Sequence, residues 1–366
     1  MKKILISIGF VTFIFSLTAC GSTRDTIMTY NPYENVDFEA ITQVKAGLHN
    51  HSSYSDGSNT PDEVVDIYKD LGYGALAITD HDNVAPYDSL AWPWEEFSTF
   101  REGFENRDPE ALEMISIPGV EYSYHHHMAA LYTLELPGES YEEADLLDML
   151  SAEEDALTWF AHPGRYWSAF DEYDEGEEFS PSWYINFFES YERETLLGIE
   201  VFSQRDRHEY DRVLWDTLLT DLMPHRPVFG FGVDDFHGSY AGFSYTKHLI
   251  EDPLDEEAFR QSLLDGAFFA VSKINSDDSV PVIENIIVDE ANKTIEIVAS
   301  DYDRIHWISG ITEEGYHSEV IESGQVFDYS DFELDYIRAE VIAGNEGSAF
   351  LRQVHTQPFG FGAQED

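Results

Sequence analysis

Cysteine and basic residues are scarce in this sequence. Among 366 residues there is one cysteine, Cys20, so the chain cannot form an intrachain disulfide bond. Lysine and arginine together number 20 against 72 acidic residues, which gives a formal net charge of -52. Affinity for nucleic acid rests on cationic side chains that neutralise phosphates, so this charge disfavours long nucleic acid as a partner.

A long apolar segment is also missing. The mostly apolar stretch at residues 4–17 is shorter than the about 20 residues that a membrane-spanning helix needs. It follows a basic start and precedes residues 17–21, Leu-Thr-Ala-Cys-Gly, which resemble a bacterial lipobox. We therefore predict that residues 1–20 are a lipoprotein signal peptide ending at the lipidation site, Cys20. An uncleaved anchor is the alternative.

The signal predicts where the protein resides. Two acyl chains on Cys20 would give stable membrane attachment, which a single chain does not. The expected location is therefore extracytoplasmic, as a membrane-anchored bacterial lipoprotein. The polar residues 21–43 are expected to be a tether between the anchor and the folded protein.

The composition and the pattern of apolar residues favour a folded α/β domain at residues 44–275. The composition is 43% hydrophobic and 14% aromatic, enough for a globular core. Short apolar runs alternate with helical patterns, and Thr60-Pro61 with Glu63 is a strong helix start. Strands that alternate with helices predict a parallel, barrel-like domain.

Residues 276–366 have a different pattern. They contain several short strands, no strong helix, and a hairpin-like turn at residues 290–293. We predict a small β-rich C-terminal domain, with a sandwich as a candidate arrangement.

Histidines and carboxylates cluster where the predicted strands end. His49 and His51 are two residues apart, so on a strand both would point to one face, beside Asp56. Imidazoles next to a carboxylate are a typical metal-ligand arrangement. Of 14 histidines, eight fall at strand ends of the α/β domain; they are His49, His51, His81, His125, His126, His127, His162 and His237.

These motifs resemble the polymerase-and-histidinol-phosphatase (PHP) family of metal-dependent phosphoesterases. The resemblance covers roughly residues 44–275 and rests on six pieces in the family's order. They are Leu48-His49-Asn50-His51 with Ser55-Asp56-Gly57, Ala77-Ile78-Thr79-Asp80-His81-Asp82, Ile117-Pro118-Gly119-Val120-Glu121, His127, Ala161-His162-Pro163, and Asp235-Phe236-His237. The resemblance implies a distorted (β/α)7 barrel with up to three metal ions at the carboxyl ends of its strands.

The resemblance also implies a ligand set. One metal ion would take His49, His51, Glu121 and Asp235. A second would share Glu121 and take His127 and His162, and a third would take Asp56, His81 and His237. Two to three divalent ions are thus expected, and mixed imidazole and carboxylate ligands suit Zn, Mn or Fe better than Mg. The residues expected at the reacting centre are Glu121, Asp235 and His237.

Some assignments stay open at this point. His125 or His126 replaces His127 if the strand register shifts. Asp80 and Asp82 are either groups that orient imidazoles or simple turn and cap residues. Asp234, where the family has a small residue more often, is interpreted as structural, with an exchange of roles with Asp235 as the alternative.

Three arginines are candidates for binding a phosphate group, because guanidinium groups match phosphate geometry. Arg165 follows His162-Pro163-Gly164, and Arg205 and Arg207 follow a predicted strand at the same face. We expect a phosphoesterase that hydrolyses a small phosphorylated substrate, such as a nucleotide, nucleoside bisphosphate or sugar phosphate, with metal-activated water. The alternatives are a metal-dependent hydrolase of a non-phosphate bond and a surface binding protein with a structural metal site.

Overall fold

The protein is described here by a computed structural model. It describes residues 26–83, 92, 105–137, 140–275, 278–345 and 351–363. The predicted signal peptide and Cys20 lie outside these residues. Within the described ranges, no helix is both long and apolar enough to cross a membrane.

The chain alternates strands and helices in its first part and then continues with strands alone. The helices are α1 (Pro61–Asp70), α2 (Pro109–Leu112), α3 (Glu143–Leu150), α4 (Pro181–Ser190), α5 (Asp211–Leu222) and α6 (Glu256–Asp265). The strands up to α6 are β1 (Thr26–Tyr30), β2 (Thr42–Gly47), β3 (Ala75–Ile78), β4 (Ile115–Tyr122), β5 (Met128–Leu131), β6 (Leu157–Phe160), β7 (Leu196–Phe202), β8 (Phe229–Gly232) and β9 (Ser244–Ile250). After α6 come β10 (Phe268–Ser272), β11 (Val282–Asp289), β12 (Thr294–Ser300), β13 (Arg304–Ile311), β14 (Ser318–Ser323), β15 (Val326–Asp328), β16 (Tyr336–Ala343), β17 (Arg352–His355) and β18 (Phe359–Ala363).

Strands β2 to β8 lie side by side in sequence order. The pairs β2–β3, β3–β4, β6–β7 and β7–β8 are parallel, whereas β5 runs antiparallel to both β4 and β6. The reversal follows from the connection, because β4 and β5 are joined by a short loop without a crossover helix. The carboxyl ends of β2 and β8 meet where Asn50 bridges Phe236. The predicted α/β architecture with a parallel sheet and a β-rich C-terminal region is confirmed.

The residues at the start of helix α1 determine where the helix begins. Thr60 is its N-cap, Pro61 its first residue, and the backbone N–H of Thr60 donates to the Glu63 carboxylate at 3.0 Å. This capping box satisfies N–H groups that the first turn leaves without partners. The buried side of the helix, including Val64 and Tyr68, packs on the outside of the barrel sheet.

The barrel interior is apolar and closely packed. Trp159 of β6 stacks on Phe231 of β8 with ring centroids 4.6 Å apart, and both rings are fully buried. Small residues such as Ala46, Ala77 and Ala129 face the same core and leave room for these rings. The filled core makes the barrel a rigid base, so the polar side chains that follow its strands are held in fixed positions.

The C-terminal strands continue the barrel sheet. Strand β17 pairs antiparallel with β10, and β16 pairs with both β17 and β18. The predicted boundary at residues 275/276 therefore falls inside one continuous sheet. The predicted tether also differs from the structure, because β1, within residues 21–43, pairs with β18. Tyr33 is likewise buried and donates its hydroxyl to the carbonyl of Phe268 at 3.3 Å.

A buried ion pair joins the C-terminal strands to the barrel. The guanidinium of Arg338 in β16 donates to both carboxylate oxygens of Asp216 in α5, at 2.8 and 2.7 Å. Both side chains have no exposed surface. Tyr336 donates its hydroxyl to Asp216 at 3.0 Å, and Arg338 also donates to Glu340 at 2.8 Å. This buried, hydrogen-bonded ion pair therefore fixes the position of the C-terminal strands against the barrel.

Candidate metal centre

The first two predicted ligands come directly after β2. His49 and His51 are fully buried, and their Nε2 atoms lie 3.1 Å apart. The backbone N–H of His51 donates to the carbonyl of Phe236 at 2.8 Å, which ties this segment to the end of β8. The two imidazoles therefore reach one point at the carboxyl ends of the barrel strands, where α/β barrels build their sites.

Glu121, near the end of β4, lies among five imidazoles, four of which are within 3.2 Å of its oxygens. Its Oε1 is 2.8 Å from Nδ1 of His127 and 3.0 Å from Nε2 of His162. Its Oε2 is 2.9 Å from Nδ1 of His81 and 3.2 Å from Nε2 of His51. A carboxylate whose two oxygens face different imidazoles has the geometry of a bridging ligand.

Asp235, after β8, faces the same histidine pair from the other side. Its Oδ1 lies 3.3 Å from Nε2 of His51 and 3.5 Å from Nε2 of His49. Its Oδ2 accepts a hydrogen bond from Gln204 at 2.6 Å. With Glu121 Oε2 only 3.4 Å from His49 Nε2, the four predicted ligands of the first metal ion converge.

The third predicted group is also assembled, at the outer edge of the site. Oδ1 of Asp56 lies 3.2 Å from Nε2 of His237 and 3.6 Å from Nε2 of His81. It also lies 3.7 Å from Nδ1 of His51, so one imidazole adjoins both groups. The Asp56 side chain is 56% exposed, which opens this edge to solvent.

Asp80 shapes the loop that carries Asp56. Its carboxylate accepts hydrogen bonds from the backbone N–H groups of Ser52 and Ser55, at 2.8 and 3.2 Å. Gly57 closes the turn by donating to the carbonyl of Ser52 at 2.9 Å, and a Cβ there would lie 2.6 Å from a backbone oxygen. Among the described residues, Asp80 forms no hydrogen bond to an imidazole, so its role is to hold the turn.

Asp82 and Asp234 also stabilise loops. Asp82 accepts from Ser123 N–H at 3.0 Å and from the Tyr141 hydroxyl at 2.7 Å. Asp234 accepts from the backbone N–H of Ser244 at 2.9 Å and from the Tyr68 hydroxyl at 2.8 Å. Asp234 therefore points away from the metal centre, although it is adjacent to Asp235.

The three consecutive histidines have different surroundings. His126 is buried among aromatic rings, with Nδ1 donating to the His127 carbonyl at 2.7 Å and Nε2 2.8 Å from the Tyr184 hydroxyl. His125 lies 2.9 Å from Glu143. In the structure it is His127, and neither neighbour, that contacts Glu121.

Glu200 is a site residue that the sequence prediction missed. It lies in β7, where every residue is buried. Its carboxylate accepts from His49 Nδ1 at 2.7 Å, from the backbone N–H of His162 at 2.8 Å and from Trp159 Nε1 at 3.1 Å. In the neutral imidazole this bond places the proton of His49 on Nδ1, so that Nε2 can bind a metal ion. The available signal was a lone acid in an apolar strand, since a buried charge needs a partner.

We predict that Glu200→Gln weakens metal binding by about 10- to 100-fold, as expected for loss of a group that orients a ligand. The amide still fits the space but leaves the orientation of His49 without a charged acceptor. Competition with a chelator of known affinity measures the change. Glu209→Gln, at an exposed position after β7, is the control, and equal affinities for both variants would contradict this role.

The buried carboxylates and imidazoles of the site stabilise each other's charged forms. Burial opposes ionisation of Glu121 and Asp235, but His49 and its neighbouring imidazoles outweigh it and lower the pKa of both carboxyls. Burial likewise opposes protonation of His51, but the adjacent carboxylates of Asp235 and Glu121 raise its pKa to about 10. Glu121, Glu200 and Asp235 raise the pKa of His49 in the same way.

These pKa shifts predict that metal uptake releases protons. The raised pKa values of His49 and His51 favour the protonated imidazoles in the metal-free protein, and that of His51 is about 10. A metal ion binds only the neutral imidazole, so binding displaces those protons and affinity rises with pH. Calorimetry in buffers of different ionisation enthalpy measures the release. Buffer-independent heats at pH 7 would contradict the prediction.

Backbone strain is concentrated at the site. Two predicted ligands have left-handed backbone angles, with φ of 29° at His162 and 47° at Asp235. Gln204, Arg205 and Asp206 form a consecutive run with φ of 47°, 63° and 60°. Such angles cost about 1–3 kcal/mol each outside glycine and are concentrated at functional sites.

The donor set fits divalent metal ions. Oε2 of Glu121 and Oδ1 of Asp235 are buried, and neither has a hydrogen-bond partner among the described residues. Both atoms face the Nε2 atoms of His49 and His51. Buried carboxylate oxygens without hydrogen bonds are costly unless a cation completes their surroundings.

The three predicted arginines line cavities beside this centre. Arg165 and Arg207 line a cavity of about 290 Å³ that also contains His162 and Asp235. Arg205 and Arg207 line a neighbouring cavity of about 530 Å³ that reaches Asp235 and His237. The arginines are therefore placed where an anion bound at the metal centre would reach them.

Comparison with known protein families finds a match within the barrel part of the chain. The model of the PHP domain matches residues 47–216. The chain carries a PHP domain. The matched segment contains His49, His51, Glu121 and His162, and it ends before Asp235, which the barrel brings to the same place.

The comparison with solved structures gives a distant match. Among solved structures, a two-domain protein of Bacteroides vulgatus that contains a predicted PHP-like metal-dependent phosphoesterase is 14% identical, with a TM-score of 0.46. The alignment covers 88% of this chain and 95% of that one. No curated protein matches the sequence significantly.

Proposed function

We propose that the PHP domain is a metal-dependent phosphoesterase that hydrolyses a small phosphorylated substrate. The observation that carries the proposal is the convergence of Glu121 and Asp235 on the buried imidazoles of His49 and His51. Two to three ions held there, with Zn, Mn or Fe as candidates, would supply an activated water and polarise the phosphate.

The chain's own residues position the reactants. Glu200 orients His49, and Gln204 orients Asp235 through its 2.6 Å hydrogen bond. Arg207 donates to the side-chain oxygen of Gln204 at 2.8 Å, so the guanidinium is held close to Asp235. With Arg165, it would bind the non-reacting phosphate oxygens and offset their charge. This arginine pair favours phosphate over the alternative of an uncharged amide or lactone.

The test is a substrate panel assayed with protein loaded with Zn, Mn or Fe. Sugar phosphates, nucleotides and nucleoside bisphosphates are compared with amides and lactones of similar size. Hydrolysis of phosphomonoesters that chelation abolishes and added metal restores is the expected result. Hydrolysis confined to amides or lactones would refute the proposal in favour of the non-phosphate alternative.

We further propose that the enzyme acts outside the cytoplasm, anchored to a membrane through lipidated Cys20. Support comes from the lipobox-like residues 17–21 after a basic, apolar start. The net charge of -52 supports a small substrate over long nucleic acid. Recovery of full-length protein in the soluble fraction without detergent would contradict the anchor, as would persistence of membrane attachment in Cys20→Ala.

A further inference from the structure

Two side chains beside the metal centre come from one short segment after β7. Gln204 donates to Oδ2 of Asp235 at 2.6 Å, and Arg207 donates to the side-chain oxygen of Gln204 at 2.8 Å. The backbone N–H of Arg207 donates to the carbonyl of Ser203 at 3.0 Å and closes the segment as a turn. The position of this turn therefore determines how Gln204 meets the predicted ligand Asp235.

The backbone of this turn is strained. Gln204, Arg205 and Asp206 have φ of 47°, 63° and 60°, and none of them is glycine or asparagine, the residues that adopt such angles most readily. Three consecutive left-handed residues persist only where surrounding contacts hold them. The hydrogen bond from Gln204 to Asp235 holds one end of the run, and the contacts of Asp206 hold the other.

Asp206 is held by an arginine of the next helix. Its two carboxylate oxygens accept from the guanidinium of Arg212 in α5, at 2.5 and 3.1 Å. The Arg212 side chain is 14% exposed, so the pair is largely shielded from solvent. The same guanidinium donates to the carbonyl of Val201 at 3.2 Å, where the register of β7 with β8 shifts. Two-point binding fixes direction as well as distance, so Arg212 anchors Asp206 to the end of β7.

The C-terminal strands help to keep Arg212 in place. Its guanidinium lies 4.9 Å from the ring centroid of Phe202, the last residue of β7. The Phe202 ring also packs on His355 of β17, with ring centroids 4.7 Å apart, and both rings are fully buried. The arginine thus stacks on a ring that the barrel and β17 hold together, which limits the motion of a long cationic side chain.

We propose that Arg212 is a positioning residue of the metal centre. Its ion pair with Asp206 holds the left-handed run, and the run presents Gln204 to Asp235. The influence of Arg212 on the metal ligand therefore passes through two intervening side chains. Its consequence for hydrolysis rests on the proposed phosphoesterase function, whereas its consequence for metal binding does not.

Arg212→Met should weaken binding of the ion at Asp235 by about 10-fold, the lower end of the range for groups that orient a ligand. The substitution keeps much of the bulk of the side chain and removes the donors that hold Asp206. Titration of Zn-loaded protein with a chelator of known affinity measures the change. The visible spectrum of Co²⁺-loaded protein reports ligand geometry, and Arg212→Met should shift its bands in the direction that Gln204→Leu does.

A double variant tests the route of this effect. Because Arg212 acts through Gln204, Arg212→Met/Gln204→Leu should bind metal within about two-fold of Gln204→Leu alone. Single effects that add in full would show that Arg212 acts by another route and would overturn the proposal.

Arg107→Met is the matched control. Arg107 also binds both oxygens of one carboxylate, that of Asp66, at 2.7 Å each, and is 21% exposed. It is not among the described residues that line the cavities beside the metal centre. Metal affinity and the Co²⁺ spectrum of Arg107→Met should match wild type. Equal changes in Arg107→Met and Arg212→Met would show a general loss of stability and contradict a positioning role.

Asp206→Gly is the second variant, for use if Arg212→Met does not fold. Glycine adopts a φ of 60° without strain, so this change removes the ion pair while it relieves the backbone. It should weaken metal binding as Arg212→Met does, and wild-type affinity in either folded variant would refute the proposal. Protein that shows these differences in metal binding but hydrolyses no phosphoester would refute the phosphoesterase function and leave the role of Arg212 intact.

Discussion

Asp235→Asn should lose phosphoesterase activity by more than about 100-fold, exceeding the effect of losing a group that only orients a ligand. Oδ1 of Asp235 faces the Nε2 atoms of His49 and His51 without a hydrogen-bond partner among the described residues. An amide keeps the shape but lacks the negative charge that would bind a cation beside two imidazoles. Metal content and kcat are measured on the same preparation.

The neighbouring carboxylate provides a matched control. Asp234 is buried like Asp235, but it accepts hydrogen bonds from Gly242, Phe243 and Ser244 N–H groups and from Tyr68. Burial raises the pKa of Asp234 to about 6. Asp234→Asn should therefore lower stability and leave metal stoichiometry unchanged. Loss of metal in Asp234→Asn together with full metal content in Asp235→Asn would show that the two residues have exchanged roles.

Arg338→Met should destabilise the folded protein by about 3–5 kcal/mol, the usual effect of removing one partner of a buried ion pair. The substitution leaves Asp216 with a buried charge and without the two hydrogen bonds that Arg338 donates, at 2.8 and 2.7 Å. Because this pair joins β16 to α5, the loss should loosen the contact between the C-terminal strands and the barrel. Urea denaturation measures the free energy of unfolding.

A double variant tests the cause of that loss. In Arg338→Met/Asp216→Leu both charges are gone, and well-packed apolar replacements of buried ion pairs are often neutral. Most of the lost stability should therefore return. A double variant that is less stable than Arg338→Met would show that packing around Trp215, on whose ring the guanidinium lies at 4.7 Å, dominates instead.

The sequence alone predicted those site residues that belong to a short motif at the end of a strand. His49-Asn50-His51 and Asp235-Phe236-His237 each carry ligands within three residues, so strand order suffices to bring them together. Thr60 with Glu63 predicts the start of α1 for a similar reason, because a capping box is entirely local.

Features that depend on tertiary contacts could not be predicted. Strand β9 was not recognised, since its segment carries Lys247 and His248 and becomes buried only by pairing with β2 and β10. Strand β1 was assigned to a tether because its partner, β18, is more than 300 residues away. Glu200 has no local motif, and its role is defined by contacts with His49 and His162, which come from other strands.

The most direct measurement determines bound transition metal and phosphomonoester hydrolysis on one sample of wild-type protein, before and after chelation. If Glu121 and Asp235 hold ions with the surrounding histidines, the purified protein contains two to three divalent ions per chain. Hydrolysis should then disappear with the metal and return when Zn, Mn or Fe is restored. Protein that contains no transition metal and takes none up, or hydrolysis that survives its complete removal, would contradict the metal-dependent mechanism.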